Sequence, residues 1–138
     1  MVTMLTKGIY LLDTDICIAM VKGHKNVRQH IRQHDHLDLK ISEITIAEML
    51  FGAVKSGKEK HFNDVISVQR LFEDYKISGV LREYADIRHE LESNGKPIDS
   101  FDLLIAATAR YNDLILVTNN TKHFSRISGL RIENWMKE

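Results

Sequence analysis

Short apolar runs alternate with longer stretches in which apolar positions recur every three or four residues. Residues 8–12 form a brief apolar run of the length of a buried strand. Asp13 and Thr14 then supply capping groups, which predicts a helix over roughly 14–22 that Gly23 ends. Residues 26–36 read as a polar helix. Leu37 to Ile41 alternates as a strand does, and Ser42 through Thr45 offers caps for a helix reaching about residue 55, stopped by Gly57. Phe62, Val65, Ile66, Val68, Leu71 and Phe72 predict an amphipathic helix over 59–74. A short strand at 75–78 precedes a helix over 80–91, closed by Asn94-Gly95 and Pro97. Ser100 opens a strongly apolar helix to about 111, residues 114–118 are the plainest buried strand, and 130–132 predict a last edge strand. This alternation predicts an α/β fold: an α/β/α sandwich around a mainly parallel sheet of about four to five strands, forming a single domain over 1–138.

Several acidic residues interrupt that pattern where apolar runs end or helices begin. In open parallel sheets, sites gather beyond the carboxyl ends of the strands. Asp13 and the pair Asn119/Asn120 lie just past the first and fourth predicted strands, while Glu48 and Asp102 fall in the first turn or two of helices. One shared pocket is compatible with those positions. A lone buried carboxylate is costly, but several converging ones are tolerable with a divalent cation among them. Asp13 can cap its helix and still ligate a metal, because a carboxylate has spare lone pairs. Asp15 can face the pocket or solvent. Glu48 has apolar neighbours Ile44, Ala47, Met49, Leu50 and Phe51, leaving little room for a solvated face, so its carboxylate needs a cation, a Lys or an Arg. Asp99 suits a helix N-terminus, and Asp102, three residues on, precedes an apolar run. Asn120 can accept through its carbonyl oxygen, orient a water, or simply form a turn with Asn119.

Magnesium takes oxygen ligands, keeps several waters and is often held by one or two direct carboxylates. It lowers the pKa of a bound water and neutralises charge on a phosphodiester, and phosphoryl transfer rests largely on such electrostatics. No Ser-His-Asp or Cys-His arrangement in a recognisable context competes, and the glycines stand singly rather than in a phosphate loop.

Composition narrows the partners. With 138 residues, 43% apolar content and one proline, the chain is globular. Its uncharged runs are too short to cross a bilayer, and the N-terminus lacks the charged-then-apolar order of a signal peptide. A single cysteine, Cys17, makes no internal disulfide, so a reducing cytoplasm is expected. Net charge is +0 and the pI about 7.1, which disfavours a nonspecific duplex binder. Lys22, Lys25, Arg28, Arg32 and Lys40 nevertheless cluster, leaving open a transient polyanionic substrate or an acidic partner.

The chain resembles PIN-domain ribonucleases, and among them the VapC toxins of toxin–antitoxin pairs. The resemblance rests on Leu-Leu-Asp-Thr-Asp-Ile-Cys-Ile, Ile-Ser-Glu-Ile-Thr-Ile-Ala-Glu-Met-Leu-Phe-Gly, Pro-Ile-Asp-Ser-Phe-Asp-Leu-Leu-Ile-Ala-Ala, Val-Thr-Asn-Asn-Thr-Lys-His-Phe and Gly-Leu-Arg-Ile-Glu-Asn-Trp, in that order. It implies acidic metal ligands at Asp13, Glu48 and Asp102, a further site position at Asn120, and a hydroxyl beside the site at Thr118; Thr14, Asp15, Asp99 and Asn119 are supporting candidates by their positions in the chain. It implies a Mg²⁺- or Mn²⁺-dependent endoribonuclease acting on structured RNA, commonly tRNA, a homodimer, and a small cognate antitoxin. Two departures stand out: Asp15 lies where many relatives carry Asn, and Asp99 where close relatives often have Gly. With Asn120 in place of an acid, one-metal chemistry is expected.

Two other readings compete. Apolar residues before Asp13-Thr14-Asp15 mimic the nucleophile motif of haloacid-dehalogenase-like phosphatases. A non-catalytic partner-binding domain of PIN-like architecture is the other, suggested by Asn120. Elsewhere, His30 and His34 have the spacing of a zinc-binding helix pair but lack the accompanying Glu, so a solvated face is expected. Lys55, Lys58 and Lys60 are candidate RNA contacts or plain solvating charges. Cys17 is expected in the core, and Trp135 to pack the last segment.

Overall fold

The computed structural model describes residues 8–137; the N-terminal stretch read for a leader lies outside them. Strands β1 (Tyr10–Leu12), β2 (Leu39–Ser42), β3 (Glu73–Tyr75), β4 (Ile115–Val117) and β5 (Ile132–Glu133) form one sheet in the order β3-β2-β1-β4-β5. Every pairing is parallel. The helices are α1 (Thr14–Val21), α2 (Lys25–Arg32), α3 (Glu43–Ser56), α4 (Glu59–Leu71), α5 (Leu81–Ser93), α6 (Ser100–Tyr111) and the short α7 (Thr121–Phe124). Among the described residues no helix is long and apolar enough to cross a membrane.

Alternation along the strands builds a core on each face. Leu12, Leu39, Ile41 and Val117 pack with Ile16, Cys17, Val27, Val65 and Val68 on one side. Leu11 and Leu116 pack with Ile87, Leu91, Leu103, Ile105 and Phe124 on the other. The expected sandwich is thus the observed one. Cys17 is buried in it as expected.

Element edges move where side chains find better partners. The polar helix ends at Arg32 rather than residue 36, and Leu37, read as the first strand residue, is 76% exposed in a 3₁₀ turn over His36–Asp38. Asp35 Oδ1 caps that turn by accepting from Leu37 N at 2.9 Å. The helix read over 59–74 stops at Leu71, and the strand expected at 75–78 forms instead at Glu73–Tyr75. There it pairs with β2, and Lys40 Nζ meets Glu73 Oε1 at 2.6 Å. The last strand shifts to Ile132–Glu133, pairing with β4.

Trp135 is 1% exposed, as expected for packing. His30 and His34 are not a solvated face. Their rings stack on the Trp135 indole with centroids at 5.1 and 4.8 Å, and Tyr10 lies against it at 5.3 Å. Indole Nε1 donates to Glu133 Oε1 at 2.9 Å, so its polar tip is satisfied. Trp135→Ala is expected to lower the unfolding free energy by about 3–5 kcal/mol, read from urea denaturation followed by circular dichroism.

Candidate active site

The chain steps outward from β1 to β2 and β3, then returns to β4 and β5 on the other side of β1. The reversal leaves a crevice beyond the carboxyl ends of β1 and β4, where such sheets bind ligands. Asp13 fills it. Its backbone N donates to Val117 O at 2.9 Å, tying it to the end of β4. Its carboxylate accepts from Thr14 N at 2.8 Å through Oδ1 and from the Thr118 hydroxyl at 2.8 Å through Oδ2. Asp13 therefore caps α1 and faces the crevice at once.

Asp15, in the first turn of α1, accepts from Asn119 N at 3.0 Å through Oδ2. Its other oxygen, Oδ1, is buried and has no hydrogen-bond partner. Glu48, in the second turn of α3, accepts from the Thr14 hydroxyl at 2.6 Å. That commits the Thr14 proton, so in the 2.9 Å contact between Thr14 and Thr45 the Thr45 hydroxyl is the donor. Asp102 lies half-buried in the first turn of α6, and Asp99 caps that helix by accepting from Phe101 N at 3.0 Å.

These groups feel one another. Burial, then the neighbouring Asp15 charge, pushes the Asp13 carboxyl up to about 7, against the opposing bonds from Thr118 and Thr14. Burial, then Asp99 and Glu48, raises Asp102 to about 6, with His123 opposing. Burial raises Asp15 too, with Glu48 adding to it. Among the described residues none of the four ion-pairs with Lys or Arg. Asp13, Asp15, Glu48 and Asp102 thus form one uncompensated acidic site. Burial pushes the neighbouring Cys17 thiol up as well, which leaves it inert.

Among the described residues no group of three Asp, Glu, His or Cys side chains is placed to hold a metal ion as it stands. An all-oxygen donor set with an orphaned carboxylate oxygen at Asp15 fits a hard cation that retains water, rather than zinc. The His30 and His34 rings lie stacked on Trp135, away from the acidic crevice's hydrogen-bond network.

Other sequence candidates divide. Thr118 bridges the site, donating to Asp13 while accepting from Asn120 N at 2.9 Å. Asn119 supplies its backbone N–H to Asp15, and its side chain accepts from Asn134. The Asn120 amide lies 2.9 Å from His123 Nδ1. Glu48 is half-buried, yet Ala47, Leu50 and Phe51 beside it are exposed, so the apolar surround read for it is corrected: Thr14 and Thr45, not an enclosing core, hold this carboxylate. Lys60 and Lys22 line a groove of about 550 Å³ that Glu48 also lines; Lys55 and Lys58 do not. Thr45 was legible only as a cap, although a Thr inside Ile-Thr-Ile-Ala-Glu one turn before Glu48 signals its partner. His123, whose charge acts on Asp102, carried no such signal.

The PIN domain family model matches residues 10–130. A tRNA(fMet)-specific endonuclease VapC of Shigella flexneri is 38% identical, over 91% of this chain and 97% of its own. Ribonuclease VapC2 of Rickettsia felis is 35% identical over 94% and 99%. Among solved structures, VapBC2 of Rickettsia felis bound to a promoter DNA fragment superposes with a TM-score of 0.83 at 34% identity, covering 92% of this chain and 98% of that one. DNA-bound VapBC of Salmonella typhimurium gives 0.82 at 30% identity, covering 94% and 99%.

The raised Asp13 carboxyl has a thermodynamic consequence. The metal-free folded state binds this proton more tightly than the unfolded chain does, so the group's contribution is full below about pH 4 and is lost as pH rises through about 7. Urea melts in EDTA are expected to show this loss, up to roughly 4 kcal/mol, and Asp13→Asn to flatten the slope between about pH 4 and 7.

Proposed function

This chain belongs to the PIN-domain family and is a VapC-type endoribonuclease, and on that premise we propose that it is a Mg²⁺- or Mn²⁺-dependent toxin that cleaves tRNA. The observation that carries the reading is the uncompensated set Asp13, Glu48 and Asp102 gathered at the crossover between β1 and β4. These three residues would hold one cation. The cation supplies Lewis acidity that offsets phosphodiester charge and makes water a better nucleophile at neutral pH.

The protein's own groups do the rest. Thr118 and Thr14 N fix the Asp13 carboxylate, and the Thr45–Thr14 relay fixes Glu48, so neither must be ordered when substrate arrives. Asp102, half-buried in the first turn of α6, presents its carboxylate to the same crevice, where the charges of Asp99 and Glu48 act on it. Lys22 and Lys60, in the groove beside Glu48, are suited to phosphate contacts. PIN membership displaces the haloacid-dehalogenase-like alternative. The non-catalytic reading is disfavoured because a purely structural domain has no use for costly unpaired carboxylates.

Exposed apolar faces support protein partners. On α3 and α4, Leu50, Phe51, Val54, Phe62 and Ile66 are exposed by 40, 68, 67, 37 and 44%. We assign this face to the antitoxin, because a patch of that kind marks an interaction surface. Leu81 and Phe101, 53 and 47% exposed in the first turns of α5 and α6, support homodimer formation through the other face.

Purified protein is expected to cut bulk tRNA with Mg²⁺ and not with EDTA, and Asp13→Asn or Asp102→Asn to slow cutting at least roughly hundredfold while circular dichroism stays native. Intact tRNA under all conditions would return the non-catalytic reading. Phe51→Asp is expected to abolish co-purification of the coexpressed antitoxin while tRNA cleavage persists.

A further inference from the structure

The acid count of this site does not match its apparent ligand set. Asn120 stands at the end of β4 where an acid would complete the ring, and its amide is engaged with His123. The chain carries instead an additional carboxylate across the same crevice, at Asp15, a position at which Asn would make the same hydrogen bond without the charge. Asn119 N, at the end of β4, donates to Asp15 Oδ2 at 3.0 Å, and Ile16 N and the Thr118 hydroxyl also favour the charged carboxylate. The other oxygen is buried and satisfied by nothing.

An orphaned carboxylate oxygen in such a place costs more than a neutral amide would, and the nearby charges of Asp13 and Glu48 add to the cost. No Lys or Arg among the described residues offsets it. A cation in the crevice would meet that oxygen and remove the repulsion together. We propose that Asp15 Oδ1 is a direct ligand of the divalent cation, supplying the carboxylate that Asn120 does not. The inference rests on the metal-dependent reading above, and it assigns Asp15 a role distinct from pinning Asn119.

The two roles separate in Asp15→Asn, which keeps the acceptor for Asn119 N and removes the charge. Mn²⁺ binding to the full chain is measured without RNA, by the loss of the free-ion electron paramagnetic resonance signal, alongside melting temperature with EDTA and with Mg²⁺. Expected are an affinity for Mn²⁺ at least roughly tenfold weaker than in the unsubstituted protein, a smaller Mg²⁺-induced rise in melting temperature, and a metal-free melting temperature equal or higher. Asp15→Ala, which also loses the Asn119 bond, is expected to bind Mn²⁺ as weakly as Asp15→Asn but to melt lower without metal. If Asp15→Asn binds Mn²⁺ as tightly as the unsubstituted protein while Asp13→Asn does not, the ligand role is overturned and the nuclease reading stands. If the unsubstituted protein binds no Mn²⁺, both fall.

Discussion

A carboxylate with almost no solvent contact, placed where a parallel sheet reverses its winding, governs the arrangement of this protein. Asp13 sits where the backbone of β1 runs out, and three groups fix it there: the Val117 carbonyl, the Thr14 amide and the Thr118 hydroxyl. Keeping a charge at such a depth is unfavourable by several kcal/mol unless it is compensated. Two neutral donors reduce that cost without cancelling it, and burial, with the Asp15 charge beside it, still pushes the carboxyl up to about 7. The other acids are arranged around this one, and α1, α3 and α6 each deliver a carboxylate from a first or second turn.

The threonines make this arrangement rigid. Thr14 donates its backbone N–H to Asp13 and its hydroxyl to Glu48, coupling the first and third helices through one residue. Thr45 fixes the orientation of that hydroxyl. Thr118 does the same between β1 and β4, while its oxygen receives Asn120 N. Hydroxyl groups suit this task because each can accept and donate, so a chain of them passes orientation along without adding charge to a site already overloaded with it.

Much of this was readable from residue order. Apolar runs at 8–12 and 114–118 marked the two central strands, being too short for helices, and the polar residues that follow them, Asp13 and Asn119/Asn120, marked the pocket. Edges were less legible. Glu73 and Asp74 continue a helical pattern, and only pairing with β2 draws them, with Tyr75, into the sheet. Glu48 was identified for a partly mistaken reason: three of the apolar neighbours credited with enclosing it face solvent. The stacking of His30 and His34 on Trp135 was invisible because it joins residues about a hundred positions apart, for which spacing along a helix carries no information.

That same long reach shapes when the protein becomes dangerous. The bond between Asp13 and Thr118 spans 105 residues. Contacts of such separation form only after the intervening chain has met its loop-closure cost, and central parallel pairings are among the slow ones. The site is therefore complete only once these two distant segments have met across β1 and β4.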